Sequence, residues 1–260
     1  MKVNTSNLKS KKLIIFDLDG TLAESKSDLA PEMALLLKEL LGKKIVAVIG
    51  GGRFEQFQKQ FVAKLESGSN FANLFLFPMS ASAFYKYANN SWQKVYEEEL
   101  SENEKKQIFD GFEKTFKELN YSHPEKVYGE VIEDRGAQIT FSALGQEAPL
   151  ELKEKWKNEH SGDKMKIAKT LEKYLPDFSV GAAGYTSIDV SRKGIDKEYG
   201  IKQIEKYLNI PISEMLFIGD ALFPGGNDYA VINTGIDYIT VKSPKETKEI
   251  ISVVMHRDNA

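Results

Sequence analysis

The stretch Leu13-Ile-Ile-Phe-Asp-Leu-Asp-Gly-Thr21 decides how the rest of the sequence is interpreted. Its first four residues form a continuous apolar run, which is typical of a strand buried on both faces of a parallel sheet. Asp17 and Asp19 follow, and side chains two residues apart on an extended segment face the same way. Two carboxylates this close need a shared proton or a cation. With a cation, one can act as ligand and nucleophile while the other transfers a proton. A solvated turn is the alternative.

Alternating strand and helix patterns continue after this stretch and predict a doubly wound α/β fold with a mostly parallel, Rossmann-like core sheet. The first group consists of strands at 13–16, 44–49 and 74–77 and helices at 31–42 and 54–66. The pattern returns after residue 194, with helices at 197–208 and 244–255 and strands at 215–218 and 238–241. We therefore assign residues 1–80 and 192–260 to one core domain.

The intervening residues 81–191 have a different pattern, which predicts an inserted α+β domain. Asn89-Asn90 and Asp134-Arg135-Gly136 are typical hairpin turns. Ser101 and Glu104 form a capping box at the start of a helix. Further segments indicate helices at 150–159 and 163–174 and strands at 178–180 and 186–190.

The composition excludes several kinds of chemistry. The 260 residues include no cysteine, so thiolate nucleophiles and thiolate metal sites are excluded. The three histidines are scattered along the sequence and do not favour a His-rich metal site. The formal net charge is −3 and gives no electrostatic case for a nucleic-acid partner. No run approaches the roughly 18 apolar residues of a membrane span, so we predict no membrane partner and a cytoplasmic location.

A second acidic group follows the strand at 215–218. It comprises Gly219-Asp220 and Gly225-Gly226-Asn227-Asp228. Carboxylate and amide oxygens are the ligands that Mg²⁺ prefers, and glycine allows close approach of the backbone. A glycine-rich turn with an Asn or Asp helix cap is the alternative. With the first acidic motif present, a metal site is the better interpretation.

Two further features lie at expected strand–helix junctions. Lys193 and Lys197 open a helix, where a lysine would stabilise a phosphoryl transition state, although a solvated lysine is the ordinary alternative. Gly50-Gly51-Gly52-Arg53 offers backbone N–H groups that could bind an anion. A plain tight turn explains the glycines equally well.

Together, Asp17-x-Asp19-Gly20-Thr21, Lys197 and Gly219-Asp220 with Asn227-Asp228 resemble the motifs of the haloacid dehalogenase (HAD) superfamily. The long insert resembles the larger cap of its Cof-like branch. Within that branch, residues 217–228 and 51–55 are similar to motifs of the eukaryotic phosphomannomutases, and Ser187-Ile-Asp189 matches a Ser-x-Asp substrate contact.

The resemblance implies a Mg²⁺ cofactor, a small phosphorylated substrate and a homodimer formed through the cap. The chemistry would be carried by core residues: Asp17 as nucleophile and metal ligand, Asp19 as general acid/base and metal ligand, Lys197 as partner of the phosphoryl oxygens, Asp220 as metal ligand, and Asn227 and Asp228 as orienting residues. Phosphate and substrate would be bound by Gly51, Gly52, Arg53, Lys26, Arg135, Ser187 and Asp189.

Three positions depart from the family's pattern. The phosphate-binding Ser or Thr after the second strand is missing, because residues 50–52 are all glycine. Gln146 and Lys153 stand where the mutases have arginine. A glutamine carries no charge, and a lysine is a poorer bidentate donor to phosphate than an arginine.

Three functions remain open. The first hypothesis is a Mg²⁺-dependent phosphatase that acts on a small phosphorylated metabolite, such as a sugar phosphate, through an aspartyl-phosphate. The alternative is a phosphomannomutase that interconverts mannose 1-phosphate and mannose 6-phosphate. The third is a non-catalytic sugar-phosphate-binding protein.

Overall fold

The structure, a computed structural model, describes residues 10–24 and 27–256. The chain divides into two compact units. The second unit is Glu98–Ile195, and the first comprises the described residues before and after it. No helix in these described ranges has both the length and the apolar character that a bilayer span requires.

The regular elements within the described residues are as follows. The strands are β1 Leu13–Asp17, β2 Ile45–Ile49, β3 Leu74–Phe77, β4 Ala83–Ala88, β5 Ser91–Glu97, β6 Ile132–Asp134, β7 Gln138–Ser142, β8 Phe178–Ala183, β9 Ser187–Arg192, β10 Met215–Gly219 and β11 Asp237–Thr240. The α-helices are α1 Pro31–Leu41, α2 Phe54–Gln60, α3 Glu102–Glu118, α4 Leu150–Tyr174, α5 Lys197–Leu208 and α6 Pro244–His256. Short 3₁₀ turns and a four-residue turn, Pro78–Ala81, complete the list.

The first unit is built on a seven-stranded sheet of order β11-β10-β1-β2-β3-β4-β5. The pairs from β11 to β3 are parallel. All residues of β1 are buried, and alternate side chains face opposite sides. Ile14 and Phe16 pack in one apolar layer with residues of α1 and α6, whereas Leu13 and Ile15 pack in another with residues of α5. Helices therefore cover both faces, and the expected doubly wound α/β core is confirmed.

The hairpin β4–β5 extends the core sheet, although the sequence analysis assigns it to the insert at 81–191. Strand β4 pairs antiparallel with β3, with Leu76 opposite Tyr85. The rings of Phe77 and Phe84 stack at a centroid distance of 4.5 Å. Pairing covers the edge of β3, which would otherwise expose unpaired backbone groups. The first boundary of the insert therefore moves from residue 80 to Glu97.

The second unit combines a four-stranded antiparallel sheet, of order β6-β7-β9-β8, with helices α3 and α4. Ile139 and Phe141 of β7 join residues of both helices in one apolar core. The intervening side chains of β7 are polar and buried. The two helices expected at 150–159 and 163–174 form one helix, α4, in which His160 has a non-helical backbone.

Arg192 holds together the two ends of the second unit. Its guanidinium donates to the Glu99 carbonyl at 2.9 Å and to both carboxylate oxygens of Glu104 at 2.9 Å. Glu104 also accepts from the backbone N–H of Ser101 at 2.7 Å, and the capping box is thereby confirmed. The hydrogen bonds from Arg192, then those from Ser101, lower the pKa of Glu104 to about 2.

This lowered pKa predicts an acid-sensitive contribution to stability. Because the pKa of Glu104 falls from 4.5 to about 2 on folding, the charged form stabilises the protein above about pH 4.5. That contribution is lost as the pH falls toward about 2. We expect Glu104→Gln to lower the free energy of unfolding by about 1 kcal/mol near neutral pH, since the pair is partly exposed. Urea unfolding at several pH values measures the difference.

The difference between the wild type and Glu104→Gln should shrink as the pH falls from about 6 to about 3. The exposed Asp110→Asn substitution on the same helix is the matched control and should show no such trend. A difference that stays constant across this range would contradict the assignment.

Candidate active site

The acidic residues of both sequence motifs meet at one edge of the core sheet. Asp17 is the last residue of β1, and Asp220 directly follows β10. The two strands are parallel neighbours, with Phe16 opposite Ile218. The carboxyl ends of parallel strands share one edge, which is where ligands bind in open α/β sheets.

A buried lysine joins two of the carboxylates. The Lys197 ammonium, at the first residue of α5, donates to Oδ1 of Asp17 and to Oδ1 of Asp228. The side chains of all three residues are at least 97% buried. Oδ2 of Asp228 accepts from the backbone N–H of Ala221 at 3.0 Å. Asp228 is thus fixed at both oxygens and orients Lys197 toward Asp17.

Burial and charge shift the pKa values of this cluster. Burial raises the pKa of Asp17 to about 7, with Lys197 opposing the shift and Asp228 and Asp220 adding to it. For Lys197, burial disfavours the charged form, but the carboxylates of Asp17 and Asp228 outweigh it and raise its pKa. Burial and the charge of Asp228 also raise the pKa of Asp220. Three carboxylates around one ammonium leave an excess of negative charge.

The donor set fits a hard divalent cation. Carboxylate oxygens of Asp17, Asp220 and Asp228 lie within 4.8 Å of one another. Oδ2 of Asp17 is buried and has no hydrogen-bond partner among the described residues. Both oxygens of Asp228 are already engaged, so the carboxylates of Asp17 and Asp220 are the acidic groups best placed to hold an ion. Oxygen ligands and excess negative charge are what Mg²⁺ requires.

Gly20 makes this close approach sterically feasible. Its φ is +85°, a left-handed conformation that glycine adopts without strain. A Cβ atom at this position would lie 2.5 Å from Oδ2 of Asp220. Any other residue at position 20 would therefore displace the Asp220 carboxylate.

Asp19 lies beside this cluster rather than within it. It is half-buried and forms an isolated β-bridge with Ala23. Its charge is among the influences that raise the pKa of Asp220, so the two carboxylates are close enough to interact. Asn227, by contrast, is exposed.

The glycine loop after β2 is held by its carbonyl groups. The carbonyls of Gly50 and Gly52 accept from the N–H groups of Ser80 and Met79, both at 2.9 Å. The Arg53 N–H donates to Oε1 of Gln56 at 2.9 Å. These contacts fix the loop that the sequence analysis predicts to bind phosphate.

Steric crowding explains why position 50 is occupied by glycine. A Cβ atom there would lie 3.1 Å from both Leu18 Cβ and Phe57 Cζ, so a larger residue has little room. Position 51 is open, with no atom within 4 Å of a Cβ. The structure thus explains the missing side chain at Gly50 but not at Gly51.

The expected cap residues lie in the second unit. Arg135 donates to the Glu133 carboxylate at 2.7 Å and to Oε1 of Gln146 at 3.1 Å. Lys153 donates to the Gln146 carbonyl at 2.7 Å. The three positions compared with mutase arginines therefore form one network, and the Arg135 charge is paired with Glu133.

Four other expected positions have different outcomes. Ser187 and Asp189 lie on β9, where Asp189 accepts from the Thr140 hydroxyl at 2.8 Å. Lys26 lies outside the described residues. Lys193 donates to the Pro176 carbonyl at 3.2 Å and is not part of the acidic cluster.

The turn Pro78–Ala81 was not anticipated from the sequence. Met79, Ser80 and Ala81 have φ values of 50°, 55° and 74°, so three consecutive non-glycine residues are left-handed. Such positions are usually taken by Gly, Asn or Asp, and none occurs here. The sequence therefore offers no signal for the turn, which contacts the glycine loop.

The chain belongs to the haloacid dehalogenase-like hydrolase family, whose model matches residues 14–256. It is 29% identical over 247 residues to a phosphomannomutase of Encephalitozoon cuniculi, covering 91% of each chain. It is 27% identical to a phosphomannomutase of Saccharomyces cerevisiae, covering 94% of each chain. The resemblance to this superfamily and to its phosphomannomutases is confirmed.

Solved structures show the same fold. The chain of a C-terminally truncated IMP-nucleotidase of Plasmodium falciparum matches with a TM-score of 0.70 at 18% identity, covering 97% of this chain and 73% of that one. The trehalose-6-phosphate phosphatase C-terminal domain of C. albicans matches with a TM-score of 0.63 at 17% identity, covering 96% and 95%. Family and fold together identify an enzyme of the HAD superfamily.

The acidic cluster predicts stabilisation by Mg²⁺. At an ion concentration about 100 times the dissociation constant, binding contributes about 2.7 kcal/mol. We expect saturating Mg²⁺ to raise the melting temperature of the wild type by about 5 °C. Asp220→Asn should lose this shift. Because the pKa of Asp220 is raised on folding, its charge is unfavourable without the ion, so the variant should melt no lower than the wild type in EDTA.

Differential scanning calorimetry with and without Mg²⁺ measures both effects. Asp110→Asn removes an exposed carboxylate outside the cluster and should keep the full shift. An equal Mg²⁺ shift in the wild type and Asp220→Asn would rule out this site.

Proposed function

We propose that this chain is a phosphotransferase that accepts the phosphoryl group of a sugar phosphate on Asp17. The observation that carries the proposal is the buried Asp17 carboxylate, whose Oδ1 accepts from Lys197 while Oδ2 has no partner among the described residues. One oxygen is thus fixed and charge-compensated, and the other is available to attack phosphorus.

In the proposed first step, Oδ2 of Asp17 attacks phosphorus and the bond to the leaving oxygen breaks. Lys197 holds the carboxylate in place and compensates negative charge on the phosphoryl oxygens. Asp228 keeps the ammonium oriented through its own ion pair. Mg²⁺, held by Asp17, Asp220 and the Asp19 carbonyl, would supply further charge compensation and screen the nucleophile from the phosphate.

Asp19 is the proposed general acid and base. It lies two residues after Asp17, beyond the bend at Leu18, and its charge is among the influences that raise the pKa of Asp220, so its carboxyl group is beside the acidic cluster. Its carboxyl group gives a proton to the leaving oxygen in the first step. In the second step the Asp19 carboxylate removes a proton from the acceptor hydroxyl, whose oxygen attacks phosphorus. The bond between phosphorus and Oδ2 of Asp17 breaks, and the Asp17 carboxylate is regenerated.

The relatives favour a sugar hydroxyl as the acceptor. The curated proteins with 29% and 27% identity are named phosphomannomutases, and each is matched over more than nine-tenths of its length. The proposed reaction is therefore the interconversion of mannose 1-phosphate and mannose 6-phosphate, the alternative of the sequence analysis. In this proposal, Arg135, Ser187 and Asp189 of the second unit bind the sugar end of the substrate.

Hydrolysis is the second candidate, because the residues expected to bind a second phosphate offer little free positive charge. A mutase must hold a second phosphate, which requires cations that are free to form bidentate contacts. Arg135 is paired with Glu133 at 2.7 Å, and position 146 is an uncharged glutamine. These contacts reduce the positive charge offered to a second phosphate, which favours water as the acceptor.

Product analysis separates the candidates. The wild type is incubated with Mg²⁺, mannose 1-phosphate and a sugar bisphosphate activator. Mannose 6-phosphate as the main product supports the mutase, whereas free phosphate without it supports the hydrolase. Binding without turnover across a panel of sugar phosphates would contradict both and favour a non-catalytic role.

Replacing the nucleophile tests the mechanism for either acceptor. We expect Asp17→Asn to lower kcat by more than about 10³-fold, because the covalent step is lost. The variant should still fold, since Asn is nearly isosteric and Asp228 continues to pair with Lys197. Circular dichroism checks the fold, and Asp110→Asn serves as the control with unchanged kcat. Turnover retained in Asp17→Asn would refute the aspartyl-phosphate.

A further inference from the structure

The turn Pro78–Ala81 is bound to the surrounding core on three sides. The N–H groups of Met79 and Ser80 donate to the Gly52 and Gly50 carbonyls. The Ala81 carbonyl accepts from the Tyr96 hydroxyl at 3.0 Å. Ala81 itself is fully buried. A left-handed conformation of three non-glycine residues persists only where the surrounding structure imposes it, and such strain is concentrated at functional sites.

The third side of the turn is helix α5. A Cβ atom at Gly200 would lie 2.7 Å from the Ala81 Cβ, a distance that real Cβ atoms essentially never show. The same atom would lie 3.2 Å from the flexible end of Ile49. The helix therefore approaches the turn closely because residue 200 has no side chain.

This contact lies one helical turn from the reacting groups. Residues three apart in a helix share a face, so Gly200 and Lys197 lie on the same side of α5. Lys197 is the residue whose ammonium contacts both Asp17 and Asp228. The depth at which α5 packs on the turn thus sets the position of the ammonium.

We propose that Ala81 and Gly200 are positioning residues, and that their packing places Lys197 against Asp17 and the turn against the glycine loop. The consequence for the rate of turnover rests on the proposed function. The proposed placement of Lys197 does not, because the contact between Gly200 and Ala81 is independent of the reaction that the site performs. A displacement of about 1 Å at a reacting group can lower a rate by about 100-fold, so a single methyl group at this contact matters.

A compensating pair of substitutions tests the proposal. Gly200→Ala adds the methyl group that the contact excludes, and Ala81→Gly removes its partner and suits the left-handed backbone. We expect Gly200→Ala to lower kcat by about tenfold or more with little change in KM. Ala81→Gly alone is the reference variant, and Ala81→Gly/Gly200→Ala should reach a kcat within about threefold of that reference.

All rates are measured well below each variant's melting temperature, so a lower stability alone would leave kcat unchanged. Two results would overturn the proposal. The first is a Gly200→Ala variant that keeps the wild-type kcat. The second is a folded double variant whose kcat is less than a tenth of that of Ala81→Gly. If Gly200→Ala does not fold alone, the kcat of the double variant is compared with that of Ala81→Gly, and this comparison still tests the proposal.

Crystal structures of the wild type, Gly200→Ala and the double variant provide a readout that does not depend on activity. We expect Gly200→Ala to lose at least one of the two Lys197 ion pairs and the double variant to regain both. Where Gly200→Ala does not crystallise, the double variant must show both pairs. The proposed placement of Lys197 would be overturned if both of its ion pairs were present in Gly200→Ala. It would also be overturned if either ion pair were missing in the double variant. If the wild type shows no turnover, the proposed function is rejected. The crystal structures then test the positioning of Lys197 without any measurement of activity.

Discussion

The ammonium of Lys197 lies between the carboxylates of Asp17 and Asp228 with almost no exposure to solvent. A charge is costly to bury unless it is paired and hydrogen-bonded, so this arrangement is stable only when all three groups meet. They come from β1, from the start of α5 and from the loop after β10. The pairing of β1 with β10 and the packing of α5 on the sheet are therefore constrained by one electrostatic requirement at the sheet's edge.

Several glycines allow the charged groups of the site, and the helix α5, to approach closely. Gly20 leaves room for Asp220, and Gly219 leaves room for Asp228, whose Oδ2 would lie 2.4 Å from a Cβ at that position. Gly200 lets α5 approach the turn at Ala81. The absent side chains would occupy the space of the Asp220 carboxylate at Gly20, of the Asp228 carboxylate at Gly219 and of Ala81 at Gly200. These glycines therefore allow the acidic side chains and α5 to approach closely.

Most of the core could be predicted from the sequence, because its signals are local. The apolar run of β1, the Asn89-Asn90 turn and the helix 197–208 are each specified by residues within their own segments. The acidic cluster could also be anticipated, since parallel strands bring their carboxyl ends together. The place of hairpin β4–β5 could not, because an antiparallel hairpin has the same pattern whether it extends one sheet or begins another.

Side-chain pairing and tertiary contacts explain the remaining differences. The ion pair of Arg135 with Glu133, two residues earlier, reduces the positive charge that the arginine can offer a phosphate. The left-handed backbone at Met79–Ala81 costs on the order of 1 kcal/mol or more per residue, and contacts with Gly50, Gly52 and Tyr96 help to keep it in place. Local propensity disfavours that turn, so its presence reflects a tertiary constraint. The constraint it satisfies is the close packing of the helix that begins with Lys197.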